Sequence, residues 1–218
     1  MVLKLYGNLT AAVMRPYCVL LEKNVPFEHI PIDIDKGENR TPEYLAKQPF
    51  GLIPCIDDDG FILYESRAIC HYIATKYAHQ GPELIPQDLQ KNALYQQWSF
   101  VEALHFEEES VGVLLEEYYN PVYFGQEKNP KLYDEHLTKL GKILDIYETV
   151  LSQQKYLVGD EVTLVDLNHL PNAMLLGAHG GTNIMQDEST RPHVARWFKE
   201  LTSRDSWKEV MAQPSGEE

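Results

Sequence analysis

The segment Tyr6–Cys18, which reads YGNLTAAVMRPYC, joins a short apolar strand to a helix and carries two side chains that could do chemistry. Thr10 offers a hydroxyl near the start of the helix, where unpaired backbone N–H groups favour a negative charge. Cys18 offers a thiol, but it lies about two turns further along and inside the helix. We therefore predict that Cys18 is a buried structural cysteine.

Two further pairs of residues could hold a small polar ligand. Ile53–Pro54 precedes a predicted hairpin strand, and a cis bond there would turn backbone groups toward an extended, peptide-like ligand. The sequence alone favours the ordinary trans bond. Glu65–Ser66 begins a predicted helix, where a serine hydroxyl and free N–H groups suit a carboxylate. Ser66 could equally cap its own helix, so both roles stay open.

Composition argues against several kinds of partner. None of the eight histidines forms an HxH or HExxH pair and no Cys-x-x-Cys pair occurs, so we expect no metal site. The formal net charge of −14 disfavours nucleic acid or an anionic membrane surface, because both attract basic proteins. No apolar run approaches the ~20 residues of a membrane helix. Three cysteines are too few for a disulfide framework and favour a reduced, cytoplasmic protein.

The predicted secondary structure changes along the chain from mixed strands and helices to helices alone. Over the first 78 residues the patterns predict the order β-α-β-α-β-β-α, with an edge strand at Phe27–Ile34 and an Asp-Gly hairpin turn. A linker rich in glycine, proline and polar residues follows. Helical patterns then occupy residues 92–119, 130–153, 163–178 and 190–210. We predict an α/β domain over residues 1–80 and an all-helical domain over residues 91–218.

This order of elements, with the runs LLEKNVPFE and FGLIPCIDDDGFILYESRAI, resembles the thioredoxin-like half of glutathione transferases. The likeness is strongest to the phi class in its fungal or plant form. In the second half YLVGDEVTLVDL resembles the helix-capping box of that family, with Thr163 as N-cap and Asp166 as its partner. The resemblance implies the two-domain cytosolic glutathione transferase fold. It also implies glutathione as co-substrate and a homodimer clasped by Phe50.

The same resemblance implies which residues would hold glutathione. Ile53, with Pro54 in a cis bond, would pair its main chain with the cysteinyl part of the tripeptide. Glu65 and Ser66 would hold the γ-glutamyl end.

Three more positions concern the other end of glutathione and its affinity. Asn39 and Arg40 occupy the polar positions that meet the glycyl carboxylate, and the planar guanidinium of Arg40 suits a carboxylate. Leu52 stands where the family pattern has glutamine. One side-chain hydrogen bond is then missing, so we expect weaker glutathione binding.

The residue that activates the glutathione thiol depends on the alignment of the first loop. Phi-class enzymes use a serine hydroxyl at the start of the first helix. Counting forward from Tyr6 places that position on Ala11, whereas counting backward from the segment Leu21–Asn24 places it on Thr10. A deletion is easier to absorb in the loop than in the helix, where it would rotate every later residue by about 100°. We therefore predict Thr10, with Ala11 as the alternative.

The helical half supplies aromatic candidates for a second substrate. The resemblance implies an apolar pocket lined by facing helices, and Phe106 and Tyr118 are the candidates, although each could be a core residue. The implied function is detoxifying conjugation of glutathione to electrophilic hydrophobic compounds, with hydroperoxide reduction as a further activity. The alternative is a ligandin-type protein that binds aromatic or polyphenolic compounds and conjugates weakly or not at all. Leu52 and the missing serine favour that alternative.

Overall fold

A computed structural model of the chain describes residues 2–213, which divide into two compact units. The first unit contains the residues up to Ile85 together with the final helix, which begins at Asp205. The second unit is Pro86–Arg204. None of the described helices is both long and apolar enough to cross a membrane.

The first unit is a mixed β-sheet with helices packed against it. Its elements are β1 (Leu3–Tyr6), α1 (Ala11–Glu22), β2 (Phe27–Ile30), a 3-10 turn (Glu38–Arg40), α2 (Pro42–Leu45), β3 (Cys55–Asp58), β4 (Phe61–Tyr64) and α3 (Ser66–Lys76). Within residues 2–213 these strands form one sheet in the order β2-β1-β3-β4. Strand β2 is parallel to β1, and β3 is antiparallel to both β1 and β4.

The predicted order of elements in this unit is confirmed, and β2 is an edge strand as predicted. Strand β2 ends at Ile30 rather than Ile34, because Pro31 has no N–H with which to continue the ladder. The hairpin turn has positive φ at both Asp59 and Gly60, as the Asp-Gly signal predicts.

The core of the first unit lies between the sheet and helices α1 and α3. It includes Leu5 and Ile56 from the sheet, Val13 from α1 and Ile69 from α3, whose side chains are all fully buried. Burying an apolar side chain of this size contributes about 1.5–3 kcal/mol. Cys18 is fully buried in α1 as a reduced thiol, which confirms the prediction of a structural cysteine.

The second unit is built from helices, and two π-helical segments join the first three of them. Its elements are α4 (Leu89–Val101), a π segment (Glu102–Phe106), α5 (Glu107–Leu114), a second π segment (Leu115–Tyr119), α6 (Asn120–Val122), α7 (Pro130–Leu151), α8 (Leu164–Ala178) and α9 (Pro192–Thr202). The predicted run 190–210 is in fact two helices, since α9 ends at Thr202 and α10 is Asp205–Ala212. Their apolar residues do not share one helical spacing, because Leu201 and Trp207 are separated by a polar run.

The start of α8 carries the capping box that the sequence predicts. Thr163 is the N-cap, and its backbone N–H and hydroxyl both donate to Asp166 Oδ2 at 2.9 Å. Val162 and Leu167 are buried beside it, in the positions of a hydrophobic staple. The box therefore fixes both the first residue of α8 and the direction from which the chain enters it.

Glu148 on α7 caps the start of α9 from outside that helix. Its carboxylate accepts hydrogen bonds from the backbone N–H groups of His193 and Val194 and from Nδ1 of His193. Burial acts to raise the pKa of Glu148, but these hydrogen bonds outweigh it and hold the pKa below its ordinary value. The charged form of Glu148 is therefore the one that stabilises the fold.

We expect Glu148→Gln to lower the free energy of unfolding at pH 7 by about 1.5–3 kcal/mol, because it removes hydrogen bonds to a charged acceptor. The carboxylate stabilises the folded state above its ordinary pKa of about 4.3, and this contribution is lost as the pH falls through the lowered folded-state pKa. Urea unfolding followed by circular dichroism at pH 7 and pH 3.5 measures the difference.

The matched control is Glu135→Gln on the same helix, where the carboxylate is half exposed and lies 3.9 Å from Lys131. We expect this variant to change the free energy of unfolding by less than about 0.5 kcal/mol. An equal loss for Glu148→Gln at both pH values would contradict the role of the charge.

Candidate functional site

The strand register brings three loops to one end of the sheet. Tyr6 on β1 pairs with Cys55 on β3, and Cys55 pairs with Tyr64 on β4. These residues form one row across the sheet, and the chain leaves the sheet just beyond it. The segments that emerge together at this end are Gly7–Thr10, Ile53–Pro54 and Glu65–Ser66.

Gly7 packs the first of these loops directly against the second. Its φ is +136°, and a Cβ added there would lie 2.8 Å from Cγ2 of Val13 and 3.0 Å from Cβ of Ile53. Only glycine combines that backbone conformation with so close an approach. The loop that leads to Thr10 therefore starts in contact with the segment that carries the Ile53 backbone.

Both candidates for the activating position lie at the start of α1. Thr10 is the N-cap residue and is exposed, and its side chain makes no capping hydrogen bond to its own helix. Ala11 is the first helical residue and offers no polar side chain. The hydroxyl of Thr10 thus lies beside the N-terminal N–H groups of a helix, where a negative charge is stabilised.

The Ile53–Pro54 peptide bond is cis, as the resemblance implies and against what the sequence alone favours. The preceding residue, Leu52, has a side chain that is 54% exposed, and its carbonyl accepts a hydrogen bond of 2.8 Å from the Tyr44 hydroxyl. Burial raises the pKa of Tyr44, so its hydroxyl stays protonated and continues to donate. Tyr44 therefore fixes the backbone immediately before Ile53.

Asn39 and Arg40 lie against the chain just before Leu52, in two different ways. Asn39 is only 6% exposed, and its Nδ2 donates to the Gly51 carbonyl at 2.8 Å. Arg40 is exposed, and its Nη1 donates to the Phe50 carbonyl at 3.1 Å. Gly51 has φ +63°, and a Cβ there would lie 2.6 Å from Nη1 of Arg40. Asn39 thus anchors the loop from inside, while the guanidinium of Arg40 faces solvent.

Glu65 and Ser66 lie at the start of α3. Glu65 is the N-cap residue with φ +73° and ψ 110°, is exposed, and makes no capping hydrogen bond through its side chain. Such a backbone conformation in a residue other than glycine costs about 1–3 kcal/mol and is found mainly at functional sites. Ser66 is buried and is the first helical residue rather than the N-cap. Neither side chain is therefore used as the cap of α3.

Phe106 lies in the core of the second unit, which corrects the expectation that it contacts a substrate. It is 0% exposed, and its ring packs at 4.6 Å from His169 and 6.3 Å from Tyr147. A side chain enclosed in this way cannot meet a ligand unless the helices separate. Its aromatic spacing reflects core packing.

Tyr118 is only partly buried and belongs to an aromatic cluster of the second unit. Its ring stacks on His179 at 4.2 Å, and its hydroxyl lies 3.1 Å from that of Tyr123. Tyr119 packs at 5.4 Å on the same ring. Tyr118 and Tyr119 belong to the π segment Leu115–Tyr119, a type of helix distortion that is frequent at functional sites, and His179 lies at the end of α8.

Two side chains that fix the site loops were not predicted from the sequence. Tyr44 holds the Leu52 carbonyl, and His29 on β2 places Nε2 2.7 Å from the carbonyl oxygen of Gly7. Neither residue stands at a spacing that signals a site, and each contact joins two different segments of the first unit. Among residues 2–213 no group of three histidine, cysteine, aspartate or glutamate side chains could hold a metal ion.

Family models match both halves of the chain. The model of the glutathione S-transferase N-terminal domain matches residues 1–75, and that of the C-terminal domain matches residues 113–205. Glutathione S-transferase F10 of Arabidopsis thaliana is 41% identical over 216 residues, which are 99% of each chain.

Solved structures agree with the family models. Glutathione transferase F2 from Populus trichocarpa has a TM-score of 0.89 and 38% identity over 96% of this chain and 97% of that one. Glutathione S-transferase I from mais, in complex with an atrazine glutathione conjugate, has a TM-score of 0.88 and 34% identity over 97% of each chain. The predicted fold class, a thioredoxin-like α/β domain followed by helices, is thereby confirmed. The chain belongs to the glutathione S-transferase family, in its phi class.

Proposed function

We propose that this protein is a glutathione transferase that conjugates glutathione to electrophilic, hydrophobic compounds. The observation that carries the proposal is the convergence of Gly7–Thr10, Ile53–Pro54 and Glu65–Ser66 at one end of the sheet. Together they offer a hydroxyl at a helix start, the main chain of Ile53 and a second helix start. The bound conjugate of the mais relative supports a hydrophobic electrophile as the second substrate.

Each part of glutathione has a matching group in the first unit, which we assign as the glutathione-binding domain over residues 1–80. The main chain of Ile53 pairs with the cysteinyl part. Glu65 receives the γ-glutamyl amine, and Ser66 with the N–H groups of α3 receives its carboxylate. The exposed guanidinium of Arg40 meets the glycyl carboxylate, while Asn39 holds the loop beneath it.

The reaction depends on the ionised form of the glutathione thiol. With a pKa of about 8.5, a free thiol is mostly protonated at neutral pH. The hydroxyl of Thr10 donates a hydrogen bond to the thiolate, which lowers the thiol pKa, and the proton leaves to solvent. The thiolate sulfur then forms a bond to the electrophilic carbon, whose leaving group departs with the electron pair.

The helical domain that the sequence predicts over residues 91–218 supplies the hydrophobic-substrate site in this proposal. Tyr118 is the residue we assign to it, because its ring is partly exposed and belongs to an aromatic cluster. We also propose a homodimer, since the ring of Phe50 is 62% exposed and is thus available to a second copy. Reduction of hydroperoxides would use the same thiolate.

A second candidate function is ligandin-type binding of aromatic or polyphenolic compounds without efficient conjugation. It is favoured by Leu52, whose exposed apolar side chain replaces a hydrogen-bonding glutamine of the family pattern. In that case glutathione would bind weakly and the aromatic cluster would be the principal site.

Turnover of a chlorinated dinitrobenzene with saturating glutathione separates the two functions. The transferase proposal expects release of chloride and the thioether product at a rate above the uncatalysed reaction. No turnover, with tight binding of an aromatic dye, would overturn it in favour of the ligandin function. An exposed-surface variant such as Asp134→Ala serves as the unaffected control.

We expect Leu52→Gln to lower KM for glutathione. A restored side-chain hydrogen bond contributes about 0.5–1.5 kcal/mol, which corresponds to roughly a two- to tenfold change in affinity. Isothermal titration with glutathione and steady-state kinetics measure the change. Leu52→Ala is the matched control, because it shortens the same exposed side chain without adding a donor. Equal affinities for both variants would contradict the role of the missing glutamine.

A further inference from the structure

His29 makes a specific contact to the loop that precedes α1. It lies on β2 beside Leu5 of β1, and its ring packs edge-on against Tyr17 of α1 at 5.4 Å. Its Nε2 is 2.7 Å from the carbonyl oxygen of Gly7. Because a carbonyl oxygen carries no proton, Nε2 holds the hydrogen and donates it. The Tyr17 ring limits how far the imidazole can turn away from this acceptor.

The recipient of this hydrogen bond is the most adaptable residue of the loop. Gly7 must be glycine, because Val13 and Ile53 fill the space that a Cβ would occupy. Glycine also has the widest range of backbone conformations, so the loop that follows it is not fixed by local sterics. An outside contact is therefore needed to hold the plane of the Gly7–Asn8 peptide.

Both polar backbone groups of Gly7 are tied to β2. Its N–H donates to the Ile30 carbonyl at 2.9 Å, and its carbonyl accepts from His29. Three residues after Gly7, the N–H of Thr10 donates to the Asn8 carbonyl at 2.7 Å. Hydrogen bonds thus connect β2 through the Gly7–Asn8 peptide to the residue that carries the exposed hydroxyl.

We infer that His29 is a positioning residue for thiolate activation: its Nε2–H fixes the Gly7–Asn8 peptide and thereby the place of the Thr10 hydroxyl. The inference rests on the proposed function, in which Thr10 hydrogen-bonds the glutathione sulfur. Reacting groups must be held within about 0.5 Å of their productive positions, so a loosened loop weakens that bond while leaving the remaining glutathione contacts in place.

The test compares His29→Phe, which keeps an aromatic ring beside Tyr17 but removes the donor, with His29→Gln, whose Nε2 can replace that of histidine. We expect His29→Phe to lower kcat about three- to tenfold, the range of one ordinary hydrogen bond, and to raise the pKa of the bound glutathione thiol. The pKa is read from thiolate absorbance against pH. KM for glutathione should change less than about twofold, since uniform binding is untouched. His29→Gln should restore most of the wild-type kcat and most of the wild-type thiol pKa.

A double-mutant cycle with Thr10→Ala shows whether His29 acts through Thr10. In the Thr10→Ala background we expect His29→Phe to have no further effect on the thiol pKa. The control His136→Phe removes a histidine hydrogen bond to Glu109 in the second unit and should leave the thiol pKa unchanged.

Three results would overturn the inference, and the first two would do so while the proposed role of Thr10 stands. If Thr10→Ala raises the thiol pKa but His29→Phe does not, His29 has no positioning role. If His29→Phe and His29→Gln lower kcat equally, the packing of the His29 ring, and not its hydrogen-bond donor, supports the activity. Should His29→Phe fail to fold, His29→Asn, whose amide is too short to reach Gly7, replaces it in the same cycle. If Thr10→Ala leaves the thiol pKa unchanged, Thr10 does not activate the thiol, and the inference about His29 is then also wrong.

Discussion

Thr10→Ala is expected to raise the pKa of the bound glutathione thiol by about one to two units, because a hydrogen bond to a charged group contributes about 1.5–3 kcal/mol. At pH 7 the thiolate fraction, and with it kcat/KM, should fall at least about tenfold. The helix start supplies only about 0.3–1 kcal/mol of its own, so it cannot replace the hydroxyl. Stopped-flow turnover of a chlorinated dinitrobenzene between pH 6 and pH 9 measures the loss.

The effect of Thr10→Ala on kcat/KM should depend on pH in a defined direction. A raised thiol pKa moves the rising limb of kcat/KM to higher pH, so the deficit of Thr10→Ala should shrink as the pH approaches 9. Binding of glutathione should change little, since Ile53, Glu65 and Arg40 are untouched.

Two variants at the same position separate the hydroxyl from the shape of the side chain. Thr10→Ser keeps the hydroxyl and should retain most of the activity, whereas Thr10→Val keeps the shape and should lose as much as Thr10→Ala. Equal activities of the wild type and Thr10→Ala would show that the activating position is that of Ala11. In that case, Ala11→Ser should increase turnover.

Asp166→Ala is expected to produce the largest loss of stability in the chain. The carboxylate is 0% exposed and accepts hydrogen bonds from the backbone N–H and hydroxyl of Thr163, from the Leu157 N–H at 3.1 Å and from Nε1 of Trp197 at 2.9 Å. Each buried donor left without an acceptor costs about 1–3 kcal/mol, so the free energy of unfolding should fall by about 4 kcal/mol or more.

Differential scanning calorimetry measures this loss. The melting temperature should fall by roughly 8–16 °C, at about 2–4 °C per kcal/mol for a chain of this size. Asp166→Asn should also destabilise the folded state. Its amide NH₂ would face an N–H or hydroxyl group that now donates a hydrogen bond to the carboxylate. Asp134→Ala, on the exposed face of α7, is the matched control and should change stability by less than about 0.5 kcal/mol. A loss below about 1 kcal/mol for Asp166→Ala would contradict the argument.

The sequence predicts those features that depend on neighbouring residues. The capping box at Thr163 and Asp166, the Asp-Gly turn and the start of α3 at Ser66 are all local signals, and all three are confirmed. The order of strands and helices along the first unit also follows from local patterns, because hydrophobic alternation and helical spacing distinguish the elements.

Features that depend on distant residues could not be predicted in the same way. The hydrogen bond from His29 to Gly7 requires the register of β1 against β2, and the burial of Phe106 requires knowing which helix faces which. An aromatic residue at helical spacing fits a pocket and a core equally well, so sequence spacing does not separate them. Arg40 is indicated as a site residue only by the family resemblance, whereas the predicted helix start already indicates Glu65–Ser66.

A protein that handles electrophiles is itself a potential target of them, since cysteine thiols are the most readily alkylated side chains. Cys18, Cys55 and Cys70 are the only cysteines of the chain, and all are buried. Burial also raises the pKa of the Cys55 thiol, which keeps it in the unreactive protonated form. A reactive compound therefore meets the thiol of a replaceable co-substrate before it meets any cysteine thiol of the folded protein. The folded chain is protected from self-inactivation, and we expect that protection to end where unfolding begins.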